Sequence, residues 1–317
     1  MADNLPTVAD LIADALDLSG TEIGLAVSSA PLVSRLPFVE SSDGIFHRYI
    51  AQVADPKVAF VGETDGRDFS HSIDVEVAAR CQILDFSFAV RKSTADTWRQ
   101  RGGARAYLNR EGLRHIASAM RTLESQILNN TDTANGFAGL PTHASLDGVN
   151  DEMVVDAGGT TANTGSSVYL MRLGDEDGVC GVFRGGVKPF ELGEPVVQNM
   201  ATADGRSAPH FHRAGTGWFG LQLGGAFTTS RIANITEDAG ATLTDDLIFE
   251  AINKHPADQQ PNVIVMSARS REQLRASRTA VNDTGEPAPR PSEVSGVPLI
   301  VVESMRDDEQ LLHPPGT

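Results

Sequence analysis

Residues 104–130, ARAYLNREGLRHIASAMRTLESQILNN, are the longest regular stretch of the chain. Apolar residues recur on one face at helical spacing: Leu113, Ile116, Met120, Leu123 and Ile127. Arg110, Arg114 and Arg121 fall on the opposite side, so the pattern predicts an amphipathic helix. At 1.5 Å per residue this helix is about 40 Å long. Because only one face is apolar, we expect the helix to lie across a partner rather than to be enclosed.

A strand pattern comes directly before this helix. Alternate residues are apolar from Ile73 to Ile83, which predicts a strand with one buried face. The alternation changes phase at Ile83-Leu84 and continues to Val90, so we predict a β-bulge or a sharp twist near Ile83. A long helix over a long ribbon is typical of an elongated molecule rather than of a compact enzyme.

Composition limits the class of protein. The 317 residues allow one large domain or two smaller ones, and 40% apolar and 21% charged residues are ordinary for a soluble fold. Neither a membrane span nor a signal peptide is predicted. Cys81 and Cys180 are expected to be buried thiols, which excludes a disulfide framework. The net charge of −16 disfavours a nucleic-acid reader.

The N-terminal third contains weaker patterns. Residues 7–18 predict a short helix with a capping box at Thr7 and Asp10, followed by an extended segment over 21–42. Such a segment either reaches onto a neighbouring molecule or straps its own domain. Residues 44–70 combine short strand patterns with turn residues, which predicts a projecting hairpin or loop.

The remaining chain divides into a β-rich part and an α/β part. We predict strands over 168–173, 179–183 and 208–235, with 184–207 as a glycine- and proline-rich connection. A helix over 243–253 with Thr242 as its N-cap, strands over 262–266 and 296–302, and a helix over 268–279 predict a small α/β layer. Residues 306–317 are expected to form a loose tail.

Candidate chemistry is sparse. His210 and His212 share one face of a strand at a spacing that can bind zinc, but no third ligand is evident nearby. Residues 158–161, GGTT, lack the ending of a phosphate-binding loop, and residues 175–178, DEDG, predict an acidic turn rather than a calcium loop. We therefore predict no catalytic, cofactor-binding or metal-binding residue, and this absence favours a structural protein.

Several segments, taken in order, carry a resemblance. They are LPFVE (36–40), VVDAGGT (154–160), SVYLM (167–171), GVFRGG (181–186), FELGE (190–194), WFGL (218–221), RIANI (231–235) and GVPLI (296–300). Their order and spacing over roughly residues 5–305 are similar to those of the major capsid proteins of short-tailed bacteriophages.

This resemblance implies an α+β fold of the Hong Kong 97 type. It implies an N-terminal arm (1–43), an extended loop (44–72), a peripheral domain (73–235) with a spine helix (104–130), an axial domain (236–305) and a loose tail (306–317). Residues 131–165 are assigned partly to the axial domain. Because the β tract precedes the α/β unit here, we predict a permuted connection relative to the usual order.

The resemblance also implies function and partners. The protein is expected to assemble with itself, as pentamers and hexamers, into the icosahedral head around the double-stranded DNA of a tailed phage. We expect assembly in the bacterial cytoplasm, a separate scaffold protein, a portal, contact with DNA only by non-specific proximity, and no membrane partner. Whether a decoration protein binds outside is left open. Lys57 is the single lysine of the extended loop, and covalent crosslinking through it is not expected. The alternatives are a nanocompartment shell of the same fold and a small metal-dependent enzyme.

Overall fold

The structure is a computed structural model. It describes residues 6–15, 24, 28–54, 56–63, 65–66, 69–98, 102–149, 152–174, 178–186, 188–201, 204–280 and 286–313. In those residues, no helix is both long enough and apolar enough to cross a membrane. Residues 175–177 of the predicted acidic turn and residues 16–18 of the first predicted helix lie outside the described residues.

The α-helices are α1 (Val8–Ala15), α2 (Lys92–Asp96), α3 (Gly103–Asn129), α4 (Asp245–Asn253) and α5 (Ala268–Ala280). Short 3-10 turns occupy Leu140–Thr142 and Ala144–Leu146. The strands are β1 (Phe38–Glu40), β2 (Phe46–Ala54), β3 (Ile73–Arg80), β4 (Gln82–Asp85), β5 (Phe88–Arg91), β6 (Val154–Asp156), β7 (Ser166–Met171), β8 (Val179–Phe183), β9 (Phe190–Leu192), β10 (Val196–Ala201), β11 (Ser207–Arg213), β12 (Gly215–Leu223), β13 (Thr229–Ile235), β14 (Val263–Met266), β15 (Glu293–Val294) and β16 (Val297–Val301).

Helix α3 confirms the predicted spine helix. It starts after Gly102, whose φ of 90° favours glycine, and it ends at Asn130, whose φ is 49°. The Asn130 N–H donates to the Gln126 carbonyl, which satisfies one of the free carbonyls at the helix end. The predicted apolar face packs into the main core, in which Ile116 and Met120 are almost fully buried.

The main core lies between α3 and a five-stranded sheet. Its strand order is β1-β8-β12-β4, and β9 also pairs with β12. Phe190 packs 4.8 Å from Phe219, and Phe38 contacts Phe219 edge to face at 6.1 Å between ring centroids. A Cβ at Gly181 would clash with the Phe38 ring, so this glycine permits the parallel pairing of β1 with β8.

A six-stranded sheet with the order β15-β16-β14-β7-β13-β6 forms the other layer. Val168 and Leu170 of β7 face a second core made with α4 and α5. Tyr169 and Met171, which alternate with them, face the main core. Both faces are therefore covered, as the nearly continuous apolar run of β7 requires.

This sheet corrects the predicted chain order. The boundary predicted between residues 235 and 236 runs through the sheet, because β13 and β14 both pair with β7. The chain enters the sheet at β6, leaves it for β8 to β12, and returns at β13. A single β tract followed by a separate α/β unit is therefore wrong: periodicity identifies strands but not their partners. β9 and β10 also lie within the predicted connection 184–207.

The predicted continuous ribbon is interrupted. It breaks at Cys81, two residues before the expected bulge, and again at residues 86–87. Its three strands pair in different sheets: β3 with β2, β4 with β12, and β5 with β11. The pairing of β3 shows that the hairpin extends to residue 80 rather than ending at residue 72. The buried face predicted for β3 is also wrong within one chain, because Ile73 and Val75 are exposed.

The N-terminal segment straps its own body. Val8, Ile12, Leu32 and Phe38 are buried in the main core. Its Thr7 N–H donates to the Asp10 carboxylate at 2.8 Å, as the predicted capping box requires. Of the two readings left open by the sequence, the described residues show the strap.

Two local predictions are also corrected. The N-cap of α4 is Thr244, whose hydroxyl accepts the Leu247 N–H, and not Thr242. Residues 306–313 are not loose: Glu309 bridges to Gly165 through the backbone, and the Leu312 N–H donates to Asn234 at 2.7 Å. The prediction of a loose tail is wrong because it used the polar composition alone, whereas the partners of the tail lie far away in sequence.

Candidate assembly surface

The extended hairpin, residues 46–80, comprises β2, β3 and the segment that connects them. Its base is fixed to the body by polar contacts. His47 Nε2 lies 2.7 Å from Gln222 Oε1, and the Tyr49 hydroxyl accepts the Leu223 N–H at 3.4 Å. Burial raises the pKa of Tyr49 above its ordinary value. The β2–β3 pairing runs antiparallel from Phe46 opposite Arg80 outward to Ala54 opposite Ile73.

The far end of the hairpin is ordered by local contacts. The Gly62 N–H donates to the Asp65 carboxylate at 2.9 Å, which is a typical turn contact. The Ser70 hydroxyl donates to the Lys57 carbonyl at 2.6 Å. We refer to residues 56–72 as the hairpin tip.

Most of the exposed large apolar side chains of the described chain lie on this hairpin: Phe46, Ile50, Val58, Phe60, Val61, Phe69, Ile73 and Val75. Val58 and Phe69 are each 91% exposed, and Phe60 is fully exposed. Burial of such a side chain contributes about 1.5–3 kcal/mol. Large apolar side chains left in water in such number mark an interaction site, so the hairpin is the candidate assembly surface.

A small apolar pocket lies apart from the hairpin, between β4, α3 and the turn that follows α3. Ile83, Leu84, Leu123, Phe137 and Phe219 supply its apolar wall, and its volume is about 90 Å³. Ile83 is itself 56% exposed at this site. We refer to this cavity as the spine pocket.

Buried polar contacts hold the N-terminal strap and the segment after β16 against the second half of α3. Glu124 is fully buried, and its carboxylate accepts the Leu32 N–H at 2.8 Å and the Ser304 hydroxyl at 2.6 Å. Burial raises the pKa of Glu124. Asn129 adds a bond from its amide to the Ser304 carbonyl at 2.6 Å. These contacts position the strap and the tail on one helix.

Arg231 forms a second polar anchor inside the six-stranded sheet. Its guanidinium donates to Ser167 Oγ at 3.0 Å, to the Leu146 carbonyl at 3.2 Å and to Glu309 at 3.1 Å. The Arg231 and Glu309 side chains are only 6% and 15% exposed. Sequence reasoning missed this anchor and Glu124. The available signal was a charged residue within an otherwise apolar strand or buried helix face.

The residues singled out for chemistry are not brought together. His210 lies on β11, where its Nδ1 is 2.8 Å from the Ala208 carbonyl. Among the residues that the structure describes, no group of three or more His, Cys, Asp or Glu side chains could hold a metal ion. Cys81 and Cys180 are both buried and free, which confirms that prediction. Burial raises the pKa of the Cys81 thiol to about 11.

The glycine-rich motif at 158–161 binds a carboxylate of its own chain. The Thr160 and Thr161 N–H groups donate to Asp238 at 2.9 and 3.0 Å, and the Thr161 hydroxyl donates at 2.6 Å. These donors hold the pKa of Asp238 far below its ordinary value. The motif therefore fixes a turn against the loop after β13.

Comparison with known proteins gives the family. The family model "Major capsid protein GP7" matches residues 23–310. The chain belongs to this family. It is a phage major capsid protein, a structural component of the virion shell, as the resemblance predicted. No curated protein sequence matches the chain.

Solved capsids show the same fold. The capsid protein of bacteriophage Epsilon15 matches with a TM-score of 0.62 and 19% identity, covering 98% of each chain. The capsid of bacteriophage JBD30 matches with a TM-score of 0.52 and 11% identity, covering 92% of this chain and 97% of that one. These likenesses confirm the predicted α+β capsid fold. At such identities they carry no residue-level inference.

Proposed function

We propose that many copies of this chain, as pentamers and hexamers, form an icosahedral head around the double-stranded DNA genome of a tailed phage. The observation that supports this is the extended hairpin, whose apolar side chains have no cover within the chain although the body buries its own core. An overlap of the hairpin onto neighbouring copies would remove that surface from water. Many such weak contacts act together in a closed shell.

We assign the two domains of the capsid fold by sheet. The five-stranded sheet with α3 forms the peripheral domain, and the six-stranded sheet with α4 and α5 forms the axial domain. In this division residues 152–171 and 229–302 belong to the axial domain, which enlarges the region predicted from sequence. Residues 6–43 form the N-terminal arm, folded back on the peripheral domain, and 46–80 form the extended loop. The permuted connection was predicted from a β tract that precedes the α/β unit, and this basis does not hold because β6, β7 and β13 share a sheet with β14.

Further partners are part of the proposal. We expect a separate scaffold protein to guide closure and a portal at one vertex, while a decoration protein on the outer face stays an open alternative. Packaged DNA is expected to contact the shell only by proximity, because the net charge of −16 repels phosphate. The acidic residues would then keep DNA from adhering to the inner wall.

Electron microscopy of purified protein, with and without coexpressed scaffold candidates, tests the proposal. Closed shells, or rings of five and six subunits, are the expected result. A folded protein that stays monomeric under all these conditions would contradict it. A cargo enzyme that copurifies inside the shells would instead indicate the nanocompartment alternative.

A further inference from the structure

Basic charge is concentrated in one segment of this acidic chain. Residues 91–121, which include α2 and most of α3, contain eight of the 26 Lys and Arg residues but only two of the 42 Asp and Glu residues. This segment therefore carries a charge of +6, whereas the other 18 basic and 40 acidic residues give the rest of the chain a charge of −22. A local excess of this kind indicates a surface that meets an anionic partner.

Three of these arginines share the exposed face of α3. Arg110, Arg114 and Arg121 follow one another at intervals of four and seven residues, which places them on one side of the helix. All three are exposed, and at 1.5 Å per residue they span about 17 Å of the helix axis. The residues between them on this face, Ala117 and Ser118, are small and leave the guanidinium groups accessible. We refer to the three arginines as the arginine strip.

Most of the charge of the arginine strip is not neutralised within the chain. Arg114 pairs with Glu111 at 2.6 Å, but the Arg114 side chain is 57% exposed, so solvent screens this pair. The Arg110 guanidinium lies over the Trp98 ring, 5.6 Å from its centroid, a contact that leaves the positive charge in place. In the part of the chain that the structure describes, neither Arg110 nor Arg121 forms an ion pair with a carboxylate.

The chemistry of this face favours a phosphate backbone over a protein surface. A protein interface has an apolar centre, yet none of the exposed large apolar side chains of the described residues lies between positions 91 and 130. Interfaces with DNA are more polar and more positively charged, and the planar guanidinium group matches phosphate oxygens in a bidentate geometry. We propose that the arginine strip binds the phosphate backbone of double-stranded DNA without reading its sequence. This inference rests on the proposed function, in which the DNA is the enclosed genome.

The expected contact is weak in one copy and depends on salt. Three arginines neutralise about three phosphates, and the release of condensed counterions gives log K against log[salt] a slope of about −0.9 per phosphate. The slope for the arginine strip is therefore about −2.7, which lowers the binding constant by about 40-fold between roughly 50 and 200 mM salt. Many copies facing the same DNA add their contacts. The rest of the chain repels phosphate, so contact by proximity alone still holds outside the strip.

Fluorescence anisotropy of a labelled random-sequence duplex with the unassembled full-length protein tests the binding. The duplex has about 20 base pairs, which makes it longer than the strip. The strip variant replaces all three arginines of the strip by glutamine. The control variant replaces three arginines that lie outside α3: Arg275→Gln, Arg290→Gln and Arg306→Gln. Each variant loses three positive charges and carries a net charge of −19, so a difference between them is not an effect of total charge.

We expect the wild type to bind the duplex at low salt with a slope of about −2.7. The strip variant should bind at least about tenfold more weakly at roughly 50 mM salt, with a slope near zero, because its phosphate contacts are gone. The control variant should stay within about twofold of the wild type. Restoring Arg121 alone to the strip variant should return a slope of about −0.9.

The outcomes separate DNA binding from the capsid function. A wild type that does not bind DNA at low salt, or an equal loss in both variants, would overturn the proposal. Tighter binding of polyglutamate than of DNA would also overturn it and would assign the strip to an acidic protein partner. Closed shells that carry the arginine strip on their outer surface in electron microscopy would overturn DNA binding and leave the capsid function intact. Folded protein that binds DNA but never forms shells would contradict the capsid function instead.

Discussion

The extended hairpin and the C-terminal tail, residues 302–313, differ in how composition relates to burial. The hairpin leaves apolar side chains such as Phe60 in water and is tied to the body mainly at its base. The tail is polar in composition, yet it is bound along its length by buried partners, including Glu124 and Arg231. The body thus holds the polar tail through buried hydrogen bonds, while most of the exposed large apolar side chains lie on a projection. This arrangement suits a subunit whose exposed apolar side chains would be covered by neighbouring copies.

The largest effect is expected from removing the apolar tip. A Phe60→Ser/Phe69→Ser double variant should lose shell formation, because these rings are fully or almost fully exposed in the single chain and the proposed function requires neighbouring copies to cover them. Its unfolding free energy should change by less than about 0.5 kcal/mol, as for other surface substitutions. Electron microscopy and urea denaturation measure the two quantities. A large loss of monomer stability would show that the tip packs within its own chain.

A strong effect on stability is expected in the tail. Glu309→Ala leaves the buried guanidinium of Arg231 without its anionic partner, which costs about 3–5 kcal/mol for a buried pair. Chemical denaturation of the unassembled protein gives this value. A change as small as that of a surface substitution would mean that the tail is not fixed by this pair.

The contribution of Glu124, which binds Leu32 and Ser304, to the unfolding free energy should depend on pH. Because burial raises its folded-state pKa above the unfolded value, its contribution is fully present below the unfolded pKa and is lost as pH rises through the folded one. The difference in unfolding free energy between the wild type and Glu124→Gln should therefore fall as pH rises from the acid side toward neutrality. Urea denaturation over this range measures it. A difference that is constant with pH would contradict the raised pKa.

The smallest effect is expected from the ion pair on the surface of the tail. Arg306 and Asp308 lie 2.9 Å apart, but both side chains are more than half exposed. Since solvent screens such a pair, Arg306→Ala should leave stability unchanged within error. It is the matched control for Glu309→Ala. If both variants lost stability equally, burial would not be the cause.

Much of this fold was predictable because its signals are local. Helix α3 was predicted within one residue at each end, since its glycines, its asparagines and its apolar face lie within one stretch. The same holds for β8, β14 and α5, whose periodicity is short-range. The hairpin was anticipated as a projection, although its second strand was placed in the body, because alternation alone does not tell which partner covers a strand.

The amino-acid sequence by itself determined the elements and the class of protein: an amphipathic spine, short strands, an excess of acidic charge and the ordered segments of a capsid family. Only the tertiary structure decided which strands share a sheet, that the tail is fixed, and which apolar residues stay uncovered. The physical reason is the large sequence separation between the residues that make these contacts. Glu124 meets Ser304 across 180 residues and Arg231 meets Glu309 across 78. Alternation predicted a buried face for β3, but Ile73 and Val75 are exposed in the single chain.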